Sequence, residues 1–372
     1  MASIDASGPE KSGSSPPEPP LRGPGGRLRR AASGSSARTG LRFLGALGSI
    51  LVTMLGLLFV TFLIGRVMPI DPVIAIVGER ASQETYRETY EALGLDKPLL
   101  VQFGYYLWDV LHLDFGRSLL TARPVAQDIA RVFPATLELA TLGTLIGVII
   151  GVPLGVMAAV YRGSWLDQIA RVVALVGYSM PIFWLGLMGL LIFYGILGWV
   201  GGPGRLGIFY IDVVPPVTGM ILVDSAIAGD WDVFRNAVSH IILPASLLGY
   251  YSLAYISRMT RSFMLEQLSA EYITTARVKG VPEWLVIWRH AFANIRVQLI
   301  TVIALSYATL LEGSVLTEII FSWPGIGSYI TTALLSADMN AVLGGTVVVG
   351  LVFVGLNVFS DLLYRYFDPR AK

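Results

Sequence analysis

Six apolar runs constrain this chain more than any other feature. Each is roughly 20 residues or longer, and they cover approximately 42–66, 136–160, 171–198, 241–261, 296–320 and 343–365. A helix of that length crosses ~30 Å of hydrocarbon, where every backbone N–H and C=O must find its partner within the segment. The expected fold class is therefore all-α, a membrane protein with six transmembrane helices. Composition agrees: 54% of residues are hydrophobic and only 14% charged, far from an ordinary soluble domain. The net charge of +1 gives no reason to expect a nucleic-acid partner. The chain has no cysteine, which excludes disulfides, zinc–thiolate sites and iron–sulfur clusters. A shorter apolar stretch, 217–228, contains Asp224 and is bounded by Pro216 and Asp230. It reads as an extramembrane or re-entrant piece.

Residues 1–40 are rich in Ser, Gly, Pro and Arg. They cannot bury a core and are expected to be disordered. The first apolar run begins too late and is too long for a signal peptide. With the N-terminus placed inside, the inner segments carry 18 Lys and Arg and the outer segments 9. Both termini are therefore expected in the cytoplasm. The expected organisation is a disordered extension (1–40), a first transmembrane helix (41–67), an extracytoplasmic subdomain (68–135) and a core with five transmembrane helices (136–372). A cytoplasmic loop (263–295) falls between the fourth and fifth spans.

That loop contains EYITTARVKGVPEWLVIWRHAFAN, residues 271–294. It reads as two short helices meeting at Gly280, which can take the left-handed conformation that ends a helix. Pro282 suits the first turn of the next helix and Glu283 its positive end. Trp284, Ile287, Trp288, Ala291 and Phe292 recur at helical spacing and predict one apolar face. Such a segment can lie on the membrane surface or dock into a partner.

Between the first two spans, Ser82 and Gly94 bracket an expected helix. Beyond it Tyr105, Tyr106 and Trp108 suit either a lipid interface or a docking surface. The second span carries Gly143, Gly147, Gly151 and Gly155 on one nearly bare stripe. A neighbouring helix can approach closely there, within the subunit or across a subunit interface. Pro153 and Pro181 are expected to bend the second and third spans. In the fifth span Ser306, Thr309, Gly313 and Thr317 share a face, with Glu312 and Glu318 beside it. A polar stripe in a span must face protein or a water-filled cavity, so these residues are candidates for a translocation path. Glu318, like Glu138, lies nearer the outer mouth, where a hydrogen bond can satisfy it. FSWPGIG (321–327) predicts a tight turn, and Asp361 and Arg365 an i,i+4 ion pair.

Catalytic and cofactor motifs are missing. None of the four lysines belongs to a G-x-x-x-x-G-K-[ST] phosphate loop. His112, His240 and His290 form no metal-binding pair, and there is no G-x-S-x-G elbow. No metal or catalytic residue is expected. Energy for uphill movement must come from an ion gradient or from a separate ATPase.

Several motifs in order resemble one family. EYITTARVKG with His290 and Asn294 resembles the cytoplasmic signature loop of ABC-type importer permeases. LGLDKPLLVQF (93–103), DFGRSL (114–119), RPV (123–125), PATLELA (134–140), GSWLD (163–167), PIFWLG (181–186), LTEIIFSWPGIG (316–327) and DLLYRYFDPR (361–370) resemble its dipeptide/oligopeptide/nickel group. The resemblance covers about 41–372. It implies a type I ABC importer permease fold in a bacterial inner membrane. It also implies a second homologous permease, two ATP-binding-cassette subunits that hold ATP and magnesium, and an extracytoplasmic binding protein. The signature loop would then insert as a coupling helix into an ATPase subunit, with Glu271, Tyr272, Ala276, Arg277 and Gly280 making or shaping the contact. The chain itself would hold no cofactor. The family's solutes include di- and oligopeptides, nickel chelates, glutathione, haem and sugars.

Other classes fit less of the sequence. A stand-alone ion-coupled transporter often repeats its halves with broken helices at matching positions, and no such repeat is present. A membrane enzyme lacks paired acid, base, nucleophile or metal ligands. A receptor-like protein would not need polar groups deep in the fifth span.

Overall fold

The computed structural model describes residues 32–67, 72–78 and 80–367. Every regular element among them is a helix, and one antiparallel bridge joins Arg117 to Pro124. The chain divides into two units, Met1–Val52 and Thr53–Lys372. In the first, the described part is the opening of helix α1 (Ala32–Val67). Residues 32–40, expected to be disordered, are helical; extending a helix already nucleated by an apolar span costs little per residue. The rest of the expected disordered extension lies outside the described residues.

In the second unit, α1 is followed by α2 (Pro72–Val77), α3 (Gln83–Ala92) and α4 (Leu99–Leu111). The Ser82 hydroxyl accepts from the Thr85 N–H and starts α3, and Gly94 follows its end at φ +63°. Phe103 and Tyr106 on α4 pack on Phe62 of α1, with ring centroids 5.5 and 5.7 Å away. Tyr105 and Trp108 remain exposed. The turn after α4 is tied to the far end of the chain, since the Ser118 hydroxyl donates to Asp338 Oδ2 at 2.5 Å.

Helix α5 (Val125–Val160) runs unbroken through Pro134 and Pro153 and starts 11 residues before the run marked in the sequence. Its main partner is the long helix α9 (Trp231–Leu268). The glycine stripe forms this seam: Gly143 faces Leu248, Gly147 faces Ser252, and Gly155 faces Ser257 and Thr260. The stripe therefore serves packing within the subunit, which takes up its small-residue face.

Between them lie α6 (Trp165–Ser179), α7 (Ile182–Gly189), which continues as a π-helical turn, and α8 (Ile221–Ala228). The expected third span is more than kinked: 165–177 and 182–196 meet at 99°. Pro181 has no N–H to donate, and Met180 before it is extended, with ψ 134°. The irregular stretch after the bend is anchored by a buried ion pair. Arg205 Nη2 donates to Glu138 Oε2 at 2.7 Å and to the Gly219 carbonyl at 3.0 Å, while Glu138 Oε1 accepts from the Leu222 N–H. The apolar piece marked at 217–228 is thus a short helix whose Asp224 carboxylate caps the Thr218–Gly219 turn.

The chain ends with α10 (Glu271–Val278), α11 (Glu283–Leu285), α12 (Phe292–Gly313), α13 (Val315–Ile320), α14 (Ile326–Leu335) and α15 (Met339–Phe367). The expected fifth span divides at Ser314. Among the described residues five helices are long and apolar enough to cross a membrane, and the bent pair makes up to six. The chain is thus an all-helical, multi-pass membrane protein. The Asp361–Arg365 pairing lies outside the described side chains.

Candidate functional site

The loop between α9 and α12 is built as a rigid knob. Helix α10 ends in a Schellman turn: the Gly280 N–H donates to the Arg277 carbonyl at 2.9 Å, and the Val281 N–H to Ala276 at 3.1 Å. Gly280 holds φ +75°, where a Cβ would strain the backbone. Across this turn Arg277 grips Glu283 with both forks, at 2.6 and 3.1 Å. The Tyr272 hydroxyl donates to Gln267 Oε1 and accepts from Asn294 Nδ2, so one side chain links α10 to the end of α9 and the start of α12.

Beneath these bonds Ile273 and Ala276 are buried with Val156, Ala159, Met264, Val286, Ala291 and Ile295. Ala276 therefore faces the chain's own core, while Glu271, Tyr272, Arg277 and Gly280 are on the surface. The predicted apolar face after Pro282 is not one face. Residues 286–291 form a π-turn, which spaces the buried positions as Val286, Ala291 and Ile295. The same turn leaves Trp284 64% and Trp288 46% exposed. A 3.6-residue period cannot anticipate that extra residue. Sequence reasoning also passed over Val278, 83% exposed at the tip. Its signal was its offset from the buried pair Ile273 and Ala276.

The polar residues of the expected fifth span separate into two groups. Ser306 is buried, its Oγ 2.9 Å from Ser252 Oγ at the meeting of α9 and α12. Thr317 and Glu318 are also buried. Thr309, Glu312 and Gly313 are exposed on α12, and Glu312 borders a narrow cleft with Phe133, Val349 and Phe353. The break at Ser314 sets Thr317 and Glu318, on α13, apart from the α12 positions, while Ser306 is buried on α12 itself where that helix meets Ser252 of α9.

Glu318 organises the FSWPGIG turn. Its Oε1 accepts from the Thr136 hydroxyl at 2.7 Å and the Ser314 hydroxyl at 3.0 Å, and its Oε2 accepts from the Ser328 N–H at 2.9 Å. A Cβ at Gly325 would lie 2.3 Å from the Glu318 carboxyl carbon, so only glycine lets the turn close over it. Trp323, fully buried, donates its indole N–H to the Ala135 carbonyl. Glu318→Ala is expected to destabilise the chain by about 2–3 kcal/mol, because it removes the acceptor of the buried Thr136 hydroxyl and one acceptor each from the Ser314 hydroxyl and the Ser328 N–H. Glu318→Gln keeps the acceptor oxygen and is expected to cost less than half of that. Melting temperatures of the two variants in detergent check the order.

Among the described residues no cluster of His, Asp and Glu could hold a metal ion. The arrangement offers a bonded two-helix loop and buried polar clamps.

Comparison with known proteins places the chain. Residues 151–372 match the model of the family described as binding-protein-dependent transport system inner membrane component, and residues 41–140 match that family's N-terminal model. The chain is 43% identical to a probable D,D-dipeptide transport system permease protein of Escherichia coli over 86% of its own length and 94% of the relative's. It is 43% identical to a dipeptide transport system permease protein of the same organism, over 88% and 97%. A dipeptide transport system permease protein of Alkalihalophilus pseudofirmus is 41% identical, over 86% and 95%. The rigid two-helix loop, the polar clamps and the multi-pass helical architecture thus occur in a transporter permease subunit, and the chain belongs to the binding-protein-dependent transport system inner membrane component family.

Proposed function

We propose that the chain forms half of the translocation pathway of an ATP-driven ABC importer for di- or oligopeptides, in the type I permease fold. The observation that carries this reading is the knob 271–294, clamped to three helices and presenting charge and exposed apolar side chains at its tip. A partner's motion can move spans only through contacts that differ between two states, and a clamped knob transmits such a motion without absorbing it. Relatives named for dipeptide transport support the substrate class.

On this reading the chain lies in a bacterial inner membrane with both termini in the cytoplasm. A second homologous permease completes the pathway. Two ATPase subunits bind ATP and magnesium, and one receives Glu271, Arg277 and the Gly280 turn in a surface groove. Tyr272 and Ala276 hold the knob in shape from behind. Helices α2–α4 lie on the extracytoplasmic side, where a binding protein delivers the peptide. Thr309, Glu312 and Gly313 face the path; Ser306, Thr317 and Glu318 brace the helices that form it.

The test is reconstitution in lipid vesicles. The chain with its neighbouring gene products is expected to take up labelled dipeptide only with ATP and the binding protein. Uptake by the chain alone, driven by an ion gradient, would overturn the reading.

A further inference from the structure

A groove of about 610 Å³ opens between α5, α6 and α9, at the end of the helices that carries the knob. Small residues, among them Gly155, Ala174 and Ala254, make an apolar wall, and Arg171, Arg258 and Arg261 line the same groove. None of its lining residues is acidic. A carboxylate nearby, Asp167, is fully buried. It accepts from Arg261 Nε at 2.7 Å, from Arg261 Nη2 at 3.1 Å and from Arg171 Nη2 at 3.1 Å. Asp167 therefore fixes two guanidiniums while accounting for only part of their donor sets, since each has five N–H groups. Tyr161 and Trp165, just before it, are 54% and 67% exposed. Exposed aromatics at the end of a span mark headgroup depth, so the arginines sit where phosphates of the bilayer lie.

We propose that this groove is a binding site for an anionic phospholipid, its phosphodiester held by Arg171 and Arg258 and one acyl chain laid along the small-residue wall. Basic pockets between spans favour such headgroups, and guanidinium is the side chain best matched to a phosphate's paired oxygens. A zwitterionic peptide fits less well, because the lining offers no carboxylate for its ammonium. Another apolar helix would bury the guanidinium donors of Arg171 and Arg261 that Asp167 does not take up.

The probe is native mass spectrometry of the full chain, purified with the subunits that accompany it and exchanged into detergent containing equal phosphatidylglycerol and phosphatidylethanolamine. Retention of phosphatidylglycerol over phosphatidylethanolamine is expected. Arg171→Gln with Arg258→Gln should weaken it by roughly thirtyfold, at about one charge contact per arginine. Arg162→Gln, an exposed arginine at the same end, should leave it unchanged. Arg171→Gln alone alters an exposed position, keeps the Arg261–Asp167 pair, and is expected to give an intermediate loss in a chain that still folds. Equal retention of the two lipids would overturn the proposal. So would an unaltered double variant, displacement by inorganic phosphate at equal concentration, or displacement by a dipeptide. None of these outcomes depends on ATP-driven uptake, so this proposal and the importer reading can fail separately.

Discussion

Gly147→Leu is expected to leave almost no folded chain in the membrane. A Cβ at this position would lie 2.3 Å from Ser252 Oγ, 2.5 Å from Ser252 Cβ and 3.1 Å from the Leu253 nitrogen. The last two belong to or hang directly from α9, so no rotamer change clears them. Overpacking a filled core costs about 1–3 kcal/mol or more, and here an isobutyl group would separate the two helices with the most extensive mutual contact. Three comparisons isolate the cause. Gly147→Ala adds only the Cβ and should lower the melting temperature measurably while still giving folded chain. Gly147→Ala with Ser252→Gly removes the nearest clash and should recover part of that loss; the remainder reflects the Leu253 nitrogen and the lost Ser252–Ser306 hydrogen bond. Gly56→Leu makes the same chemical change in α1, where nothing lies within 4 Å of the added carbon, and should behave as wild type. The readout is size-exclusion of a fluorescent fusion after heating. If Gly147→Leu and Gly56→Leu melt alike, close approach at the α5–α9 seam is not what holds this fold.

The seam was legible from four glycines at four-residue spacing because helical periodicity and side-chain size are local properties. The same is true of the Gly280 turn and of the Ser82 cap. What was not legible depends on contacts between distant residues or on breaks in periodicity. Glu318 reads either as a pathway carboxylate or as one satisfied by a hydrogen bond near the outer mouth, and the sequence does not say by which partner. Its partners Thr136 and Ser328 lie 182 residues before it and 10 after it, and only the folded chain brings them together. Glu138 paired with Arg205 for the same reason: nothing in a span sequence announces that a later irregular segment will return an arginine to it. The π-turn at 286–291 and the break at Ser314 shift the register of faces that a 3.6-residue period had joined. This misassigned Trp284 and Trp288 at the knob and separated Glu312 from Thr317 and Glu318 at the fifth span.

These corrections alter how force would pass through the molecule. Tyr272 bonds both Gln267 and Asn294, and Ile273 and Ala276 are packed with α5 residues. A push on the tip therefore reaches α5, α9 and α12 together rather than one span at a time. Since α5 and α9 are also packed closely along the glycine seam, the two are expected to move as one body. Relative motion would then be taken up elsewhere, and the breaks at Ser314 and around Pro181 interrupt the regular backbone of this unit.

Gly280→Val is expected to reduce ATP-driven peptide uptake by roughly tenfold or more while leaving the melting temperature close to wild type. Nothing lies within 4 Å of a Cβ built at Gly280, so the substitution creates no clash. Its effect is conformational: a β-branched residue resists φ +75° by about 1–2 kcal/mol, and relief of that strain opens the Schellman turn. Arg277 and Glu283 then lose their fixed separation, and the tip no longer presents one shape to a partner. Gly280→Asn tests this logic, since asparagine tolerates the left-handed region and should retain most uptake despite being larger than alanine. The ion pair is tested by exchange. Both side chains are about half exposed, so the pair contributes little to stability by itself. If Arg277 serves only to clip the turn, Arg277→Glu with Glu283→Arg restores what either single change removes. If Arg277 also contacts the ATPase, the exchange leaves uptake low while the knob stays folded, and ATP hydrolysis continues without response to the loaded binding protein. Wild-type uptake by Gly280→Val in a stably folded chain would remove the knob from the coupling mechanism, because the one backbone conformation its shape depends on would then be dispensable.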